Sequence, residues 1–288
     1  GMYLGRPIRC NSTVAEKPYN LLPIHVQGTG FADAAGKAFI PWGVNYTNTN
    51  QLRLVDDNWY EDSTWKIIKQ DFREMKALDL NVIRIHLQYN RFMTDAFTPN
   101  QQALARLKDM IAFAGVYGLY LDITGLGCYI KEDTPDWYDA MSEADRWATQ
   151  AVFWKAIANA AKGYNNIFAY NLMNEPVLAG GGTTKDWLAG EPLAGKYYVQ
   201  RITNDSKGRP DTQIAKEWIA KLTGAIREVD DRHLITVGVI PWAQVFKGAK
   251  PIFYSPEAGG PLDIASVHFY PKKDDLEGSL AALKVYLV

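Results

Sequence analysis

The chain has 288 residues, with 31 Lys and Arg against 32 Asp and Glu, a formal net charge of −1, 47% hydrophobic residues and two cysteines. A near-neutral charge without a basic run excludes an electrostatic nucleic-acid surface and a polybasic membrane patch. Cys10 and Cys128 cannot form a multi-disulfide framework, although a single pair or two inert thiols both fit, and no His/Cys cluster suggests zinc. We therefore predict no metal, no cofactor, no nucleic-acid partner and no membrane partner.

Length and hydropathy indicate the gross organisation. At roughly 100–200 residues per domain the chain can hold one large domain, and α/β barrels commonly run to about 250 residues. No apolar stretch reaches the roughly 18 residues that span a bilayer, and the N-terminus lacks the apolar core of a signal peptide. We predict a soluble chain, which would be secreted if the true start lies upstream.

Short apolar runs rich in β-branched residues alternate with longer helical patterns, which is typical of a parallel α/β sheet. Six runs predict strands, at residues 39–45, 81–86, 119–124, 167–172, 234–237 and 264–270. Between them, apolar residues recur at three- and four-residue spacing, as from Trp65 to Met75 behind a candidate N-cap at Asp62-Ser63. The last helical pattern begins at Leu276 and runs to the chain end.

Two segments lie outside this alternation. Residues 24–26 and 30–37 predict a small hairpin turned by glycines, which could close one end of a barrel. The stretch from Val177 to Pro210 is too long for an ordinary connection. Long connections of that kind are usually lids or binding loops, so we expect this stretch to contribute to function.

Polar and aromatic side chains collect at the C-terminal ends of the predicted strands, where parallel barrels carry their reactive groups. In chain order they are Asn45, Arg84, His86, Asp122, Thr124, Asn174, Glu175, Trp242, His268 and Tyr270. A set of amides, carboxyls, imidazoles and aromatic rings is suited to holding a sugar.

The tripeptide Asn174-Glu175-Pro176 at the tip of the fourth predicted strand is the sharpest of these features. A carboxylic acid there can protonate a departing oxygen and then deprotonate a water, while the adjacent amide binds a substrate hydroxyl. The same tripeptide also suits a helix start, because Asn is a good N-cap and proline fits the first turn. The position at a strand end favours the catalytic interpretation.

Arg84 and the segment His268-Phe269-Tyr270 end two other predicted strands. Arg84 either contacts substrate or forms an ion pair inside the barrel, and in both cases a nearby cation lowers the pKa of a carboxyl group. His268 and Tyr270 share a face at period two, with Phe269 pointing the other way. We predict that His268 and Tyr270 belong to a sugar subsite.

Four further residues are candidate substrate contacts. Asn45 ends the first predicted strand, and Trp42 and Trp242 near strand ends are candidate stacking platforms for a sugar, although ordinary packing explains each tryptophan equally well. His86 either contacts the substrate or is a core residue whose hydrogen bonds are made within the protein.

Four segments stand in an order and spacing that is fairly specific: Gly43-Val44-Asn45, Asn81-Val82-Ile83-Arg84, Asn174-Glu175-Pro176 and His268-Phe269-Tyr270. With them the chain resembles the clan A glycoside hydrolases, in particular the family 5 cellulase-like (β/α)8 barrels, over roughly residues 30–288. The resemblance implies a retaining mechanism, with two carboxyl groups about 5–5.5 Å apart as acid/base and nucleophile. By resemblance Glu175 is the acid/base and Asn174 contacts the sugar 2-hydroxyl, while Arg84, His268 and Tyr270 orient and ionise the nucleophile.

The resemblance also implies a nucleophile at the end of a seventh strand. Only 18 residues follow Tyr270 (288 − 270 = 18), and their pattern is that of the sixth helix. Glu191, Glu257 and Glu277 lie away from strand ends, so we assign the role to none of them. We expect the nucleophile after residue 288.

The predicted fold is an α/β, TIM (β/α)8-type barrel of about six units, incomplete at its C-terminal side, with a small N-terminal β-hairpin. It forms one catalytic domain over 1–288, with an extension and hairpin over 1–37 and the first strand to the sixth helix over 38–288. A truncated gene product, part of a longer protein, or a second chain supplying the rest would each explain this. Because open apolar edges are a liability, we expect self-association or a partner chain to cover them, or poor activity.

The predicted function is a retaining β-glycoside hydrolase acting on a β-linked glucan or mannan, with an oligo- or polysaccharide as its partner. The alternative is a glycan-binding protein, or a truncated remnant, that keeps the sugar site but cannot complete a double displacement. An unrelated barrel enzyme would need a metal or phosphate site, and the sequence shows neither.

Overall fold

The computed structural model describes residues 19–48, 53–180, 182–246 and 248–286. Its strands are β1 (Ile24–Gln27), β2 (Gly30–Asp33), β3 (Ala38–Phe39), β4 (Gly43–Asn45), β5 (Val82–Gln88), β6 (Tyr120–Gly127), β7 (Ile167–Asn174), β8 (Pro176–Val177), β9 (Leu188–Ala189), β10 (Val199–Arg201), β11 (Leu234–Val239) and β12 (Ser266–Val267). Its helices are α1 (Asp62–Ala77), α2 (Tyr89–Phe92), α3 (Gln101–Val116), α4 (Asp136–Asp139), α5 (Glu143–Ala161), α6 (Asp211–Arg227), α7 (Trp242–Val245) and α8 (Leu276–Lys284), with a 3₁₀ turn at Lys131–Asp133.

A six-stranded sheet in the order β12-β11-β7-β6-β5-β4 forms the centre of the fold. Every neighbouring pair in it is parallel. Its order follows the chain, as successive strand–helix units of a barrel require. The predicted barrel-type α/β fold of about six units is confirmed as a curled half-barrel.

Alternation along the strands separates an apolar face from a polar one. On β5, Ile83, Ile85 and Leu87 are fully buried against the helices. Because successive side chains of a strand point to opposite faces, Arg84 and His86 point into the half-barrel. Core packing therefore fixes the strand register, and the register aims the polar residues at one shared interior.

The N-terminal strands β1, β2 and β3 form a small antiparallel sheet, so the predicted hairpin is confirmed and gains a third strand. Phe31 packs edge-on against Phe168 with ring centroids 5.2 Å apart, and Phe39 packs against Tyr120 at 5.1 Å. Phe168 and Tyr120 lie at the N-terminal ends of their strands. The ribbon thus covers the N-terminal end of the large sheet, and the C-terminal ends of the strands lie at the other end.

The predicted strands at 81–86, 119–124, 167–172 and 234–237 end too early, since β5, β6, β7 and β11 run two or three residues further. Other predicted boundaries are wrong for reasons that the structure shows. The first predicted strand splits, because residues 38–39 pair with β2 and only Gly43–Asn45 joins the large sheet; Pro41 between them has no N–H for a ladder. The sixth predicted strand shrinks to Ser266–Val267, which has one pairing partner. Helix α1 is preceded by Glu61, whose side chain makes no capping hydrogen bond, so the predicted cap at Asp62-Ser63 lies inside the helix.

The long connection over residues 177–210, here called the side-wall segment, has its own structure. Within it and at its start, β8, β10 and β9 form a small sheet. Trp147 on α5 donates from Nε1 to the carbonyl of Ile202 at 2.7 Å, and Arg209 binds both carboxyl oxygens of Glu143 at 2.9 Å. The segment is therefore held against the N-terminal half of α5.

Two remaining sequence features concern cysteine and membranes. Cys128 is buried and its sulfur lies 3.1 Å from the hydroxyl oxygen of Thr134. Cys10 lies outside the described residues, so the pairing of the two cysteines stays a prediction. Within the described ranges, no helix has the length and apolar character that crossing a membrane requires.

Candidate active site

The C-terminal edge of the half-barrel brings together Arg84, Asn174, Glu175 and His268. Arg84 donates from Nη2 to Asn174 Oδ1 at 2.9 Å, and His268 donates from Nδ1 to Glu175 Oε1 at 2.8 Å. Each member of the Asn174-Glu175 pair is thus fixed by a residue from another strand or its end. The sequence alone gave no sign of these two contacts, because the partners lie 90 and 93 residues apart.

Glu175 has an unusual backbone conformation. Its φ is +45°, in the left-handed region that residues other than glycine rarely adopt, and its N–H donates to the carbonyl of Gly238 at 2.8 Å. Such a conformation costs of order 1–3 kcal/mol and is found where the surroundings over-determine it. Residues 176–177 continue as β8, so the helix-start interpretation of this tripeptide is wrong.

Gly238 makes room for the polar cluster. A Cβ atom at this position would lie 2.5 Å from His268 Nε2 and 3.2 Å from Arg84 Nη2. The register between β7 and β11 shifts between Thr236 and Gly238, and the N–H of Gly238 donates to Asn171 Oδ1 at 2.9 Å. A glycine here lets the imidazole and the guanidinium approach the strand backbone.

Asn174 is buried, and both ends of its amide are engaged. Its oxygen accepts from Arg84, and Nδ2 donates to the main-chain carbonyl of Tyr198 at 2.7 Å. An amide nitrogen carries two hydrogens, so one N–H is left for a ligand. The amide plane is fixed before any ligand arrives.

Of the two roles that the sequence left open for Arg84, the structure shows the ion pair inside the half-barrel, and a direct contact with substrate stays a prediction. The Nε of Arg84 lies 3.8 Å from Asp122 Oδ2, and Nη1 donates to Asn45 Oδ1 at 3.0 Å and to His86 Nε2 at 3.2 Å. Because arginine only donates, His86 must accept at Nε2. The hydrogen of its ring then sits on Nδ1, which lies 2.8 Å from the Tyr129 hydroxyl.

Burial dominates the electrostatics below the site. Burial and, after it, the electrostatic effects of Arg84 and His268 lower the pKa of His86 well below its ordinary value, so His86 is neutral. Burial also raises the pKa of Asp122, outweighing the opposite effect of Arg84. The interior is therefore a poorly solvated environment in which hydrogen bonds and charges act strongly.

The structure does not bring every predicted contact into this cluster. Trp42 precedes β4 and is hydrogen-bonded through its backbone to Asn81, which places it at the N-terminal end of the sheet. The side chain of Tyr270 is 76% exposed, although its carbonyl accepts from Gln244 Nε2 at 2.7 Å. Asn45, by contrast, is joined to the cluster through Arg84.

Trp242 lies at the correct edge of the sheet but on another face. It begins α7 directly after β11 and lines an apolar cavity of about 260 Å³ together with Pro176, Val239 and Tyr254. Since Gly238 faces Arg84 and His268, its neighbour Val239 points to the opposite side of β11. Glu175 itself does not line this cavity.

Sequence reasoning missed Tyr198, Tyr129 and Gly238, and left Asp122 without a role. Asp122 had a signal, since it is an acidic residue in an otherwise apolar strand and lies opposite Arg84 in the register of β5 and β6. Tyr198 lies in the side-wall segment, where no periodicity marks it. The contribution of Gly238 depends on a bulge that only the folded sheet reveals.

Within the described ranges, Asp122 is the carboxylate other than Glu175 that pairs with the cluster. Glu191, Glu257 and Glu277 are all exposed. The same ranges contain no group of three or more His, Cys, Asp or Glu side chains arranged to hold a metal ion.

A parallel half-barrel with an Asn-Glu pair at the tip of its fourth strand defines a (β/α)8-type glycoside hydrolase domain. The model of the cellulase family, glycosyl hydrolase family 5, matches residues 32–281, and the chain belongs to that family. No curated protein matches the chain.

Solved structures with the same fold are similar at low sequence identity. An exo-β-1,4-mannosidase from Opitutaceae bacterium strain TAV5 has a TM-score of 0.63 and 21% identity, over 86% of this chain and 41% of that one. A β-glucanase from Saccharophagus degradans in complex with cellotetraose gives 0.56 and 19%, over 95% and 69%. A β-mannanase from the blue mussel Mytilus edulis gives 0.58 and 16%, over 88% and 76%. The chain thus spans less than half of the mannosidase.

Proposed function

We propose that this chain carries the acid/base half of a retaining β-glycoside hydrolase site, with Glu175 as the acid/base. The observation that carries the proposal is the position of Glu175, beside a doubly held Asn174 and 2.8 Å from His268. His268 occupies Oε1, so Oε2 is the oxygen that faces a departing glycosidic oxygen. Family membership supports the double-displacement chemistry that this arrangement would serve.

The substrate we propose is a β-linked glucan or mannan, bound as an oligosaccharide or polysaccharide. The similar structures are named as mannosidase, glucanase and mannanase, and one of them holds cellotetraose. The free N–H of Asn174 is suited to the 2-hydroxyl of the sugar whose bond is cleaved. Glucose and mannose differ in the orientation of this hydroxyl. Asn174 is therefore the residue best placed to distinguish the two sugars.

A double displacement requires a second carboxylate about 5–5.5 Å from the acid/base. We propose that a glutamate outside the described residues supplies it, on a strand beside β12 and within reach of Arg84 and His268. Asp122 is not the proposed nucleophile, because it lies in register with Arg84 and Ala169, and Ala169 comes before Asn174 on β7, so Asp122 is deeper in the half-barrel than Asn174.

Glu175→Gln in the complete gene product tests the assignment. Removal of general acid catalysis typically costs about 10²–10⁴-fold in rate, and we expect a loss of this size in kcat/KM on an aryl β-glycoside with a poor leaving group. Glu257→Gln is the matched control, since Glu257 is exposed and should leave the rate unchanged. An unchanged rate in Glu175→Gln would refute the role of Glu175.

A second candidate function is glycan binding without turnover. It is favoured by one observation, that the carboxylate paired with the cluster inside the described ranges, Asp122, lies too deep to attack a sugar held at Glu175. This candidate predicts calorimetric binding of cellotetraose or mannotetraose by the complete protein, with no reducing sugar released on long incubation. Release of reducing ends would eliminate it.

A further inference from the structure

The side-wall segment is tied directly to the candidate active site. The carbonyl of Tyr198 accepts from Asn174 Nδ2 at 2.7 Å, and the N–H of Tyr197 donates to the carbonyl of Tyr129 at 2.8 Å. Gln200 is buried and donates from Nε2 to the carbonyl of Leu126 at 3.2 Å. These three contacts attach this part of the segment to β7 and to the end of β6.

The segment is also fixed from behind. Arg146 on α5 is 3% exposed, and its guanidinium lies 3.6 Å from the ring centroid of Trp187 and 4.0 Å from that of Tyr138. These are cation–π contacts, which strengthen when the arginine is desolvated. With the hydrogen bond from Trp147 to Ile202, they make the segment a fixed wall rather than an opening lid.

The ring of Tyr198 faces the cluster. Its centroid lies 4.9 Å from that of Tyr129 and 6.3 Å from that of His86, and the side chain is half-buried. Burial and the negative charge of Asp57 raise the pKa of the phenol, which keeps its hydrogen. Within the described residues the hydroxyl makes no hydrogen bond, so it is available to a ligand.

We propose, on the basis of the function proposed above, that Tyr198 is the residue that determines specificity at the sugar's C2 position. Its carbonyl fixes the Asn174 amide, and its ring lies beside Tyr129 and His86 on the side of the subsite where that carbonyl lies. The ring contacts with Tyr129 and His86 hold that carbonyl in place. An amide held at both ends offers its remaining N–H in one direction only.

This geometry discriminates between epimers for a simple reason. An equatorial and an axial 2-hydroxyl lie in different positions relative to the ring of the sugar, and a fixed N–H can reach only one of them well. A wall that cannot move also prevents the other epimer from shifting to meet it. If the ring of Tyr198 is removed, the carbonyl loses the part of its support that comes from Tyr129 and His86, and the amide can turn toward either hydroxyl.

The test is calorimetric binding of cellotetraose and mannotetraose to the complete protein carrying Glu175→Gln, which prevents turnover. Tyr198→Ala should weaken the preferred tetrasaccharide about five- to tenfold, the size of an aromatic contact. It should leave the other nearly unchanged, so that the affinity ratio moves toward one. Tyr197→Ala is the matched control, since Tyr197 has no aromatic ring partner among the described residues, and it should keep the ratio of the parent protein.

The outcomes separate this inference from the function on which it rests. If neither tetrasaccharide binds the parent protein, the proposed function fails and this inference fails with it. If both bind and Tyr198→Ala keeps the ratio found for Tyr197→Ala, only the assignment of Tyr198 is overturned. Should Tyr198→Ala not fold, Tyr198→Leu keeps the apolar volume without the hydroxyl or the ring edge, and an unchanged ratio there is equally contradictory.

Discussion

At the scale of single residues, Glu175 combines a candidate catalytic role with a strained backbone. Its φ of +45° is unfavourable for any residue with a Cβ. Strain of this kind persists because the carbonyl of Gly238 and the side chain of His268 hold the residue in place. The strained backbone at Glu175 therefore costs stability, while it positions the carboxyl group beside His268 at the C-terminal edge of the half-barrel.

Glu175→Gly and Glu175→Ala separate strain from chemistry. Both remove the carboxyl group, but glycine adopts the left-handed region freely. We expect the glycine variant to be more stable than the alanine variant by about 1–2 kcal/mol in urea unfolding. Equal stabilities would show that the backbone at Glu175 is unstrained.

Gly238→Ala tests whether the cluster requires a residue without a side chain at position 238. The new methyl group would meet His268 Nε2 at 2.5 Å and Arg84 Nη2 at 3.2 Å, so one or both must move. We expect at least about a tenfold loss of tetrasaccharide affinity, because hydrogen bonds to charged groups are worth roughly 1.5–3 kcal/mol. Gly163→Ala is the control, because its methyl group would meet nothing within 4 Å, and it should bind normally; equal affinity of the two variants would contradict this.

The sequence predicted the residues of the cluster better than their contacts. Asn174, Glu175 and His268 were found because strand ends of a parallel sheet meet at one edge. Arg84 was predicted to end its strand, but it is the third residue of β5 and reaches Asn174 through its long side chain. Their pairing could not be predicted, since it depends on a bulge at Gly238 and on side-chain reach across 90 or more residues of chain. Tyr198 contacts Asn174 through its backbone carbonyl, which side-chain chemistry cannot reveal.

At the scale of elements, the connection from α6 to β11 is held by a buried polar triad. Asp230 Oδ2 lies 2.5 Å from His233 Nδ1 and accepts from the hydroxyl of Tyr170 on β7 at 2.7 Å. Burial acts to raise the pKa of Asp230, but His233 and Tyr170 outweigh it and the net pKa is lowered. The triad joins α6, β7 and β11 beneath the site.

Asp230→Asn should lower the free energy of unfolding at pH 7 by about 2–4 kcal/mol, because it weakens a buried, charge-assisted network. A lowered carboxyl pKa gives stability that is present above the ordinary pKa near 4 and is lost as the pH falls further. The wild-type protein should therefore lose more stability than the variant between pH 5 and pH 2. Exposed Asp231→Asn is the control; a shared pH dependence in all three proteins would refute the role of Asp230.

Strand existence was predictable and strand length was not. The cores of β5, β6, β7 and β11 are buried on both sides, so their apolar runs leave little ambiguity. The two outermost strands of the large sheet were predicted too long. An outermost strand has one hydrogen-bonding neighbour, and near β4 the chain leaves for the N-terminal ribbon at Pro41.

At the scale of the whole molecule, β4 and β12 each have a single neighbour within the described part of the sheet. Ile40, Trp42 and Val44 around β4 are 79%, 66% and 41% exposed, and Leu276 and Leu280 on α8 are 57% and 46% exposed. Unpaired apolar edges favour pairing with further strands. The coverage of these edges by another segment or a second chain stays a prediction.

Light scattering on the 288-residue chain tests this prediction. We expect a mass above that of the monomer, 32.3 kDa, and a shift toward the monomer in Val44→Lys, because charged side chains protect an edge. Leu193→Lys changes another exposed residue, in the side-wall segment, and should leave the mass unchanged. A monomeric parent chain at high concentration would refute association through these edges.

The proposed function depends above all on Glu175 as the acid/base of a β-glycoside hydrolase. The decisive measurement is kcat/KM of the complete protein and its Glu175→Gln variant on phenyl and 2,4-dinitrophenyl β-glycosides. A dinitrophenolate leaves without protonation, so we expect a loss of about 10²–10⁴-fold on the phenyl glycoside and a much smaller loss on the dinitrophenyl glycoside. Equal losses on both substrates, or no loss on either, would contradict the assignment.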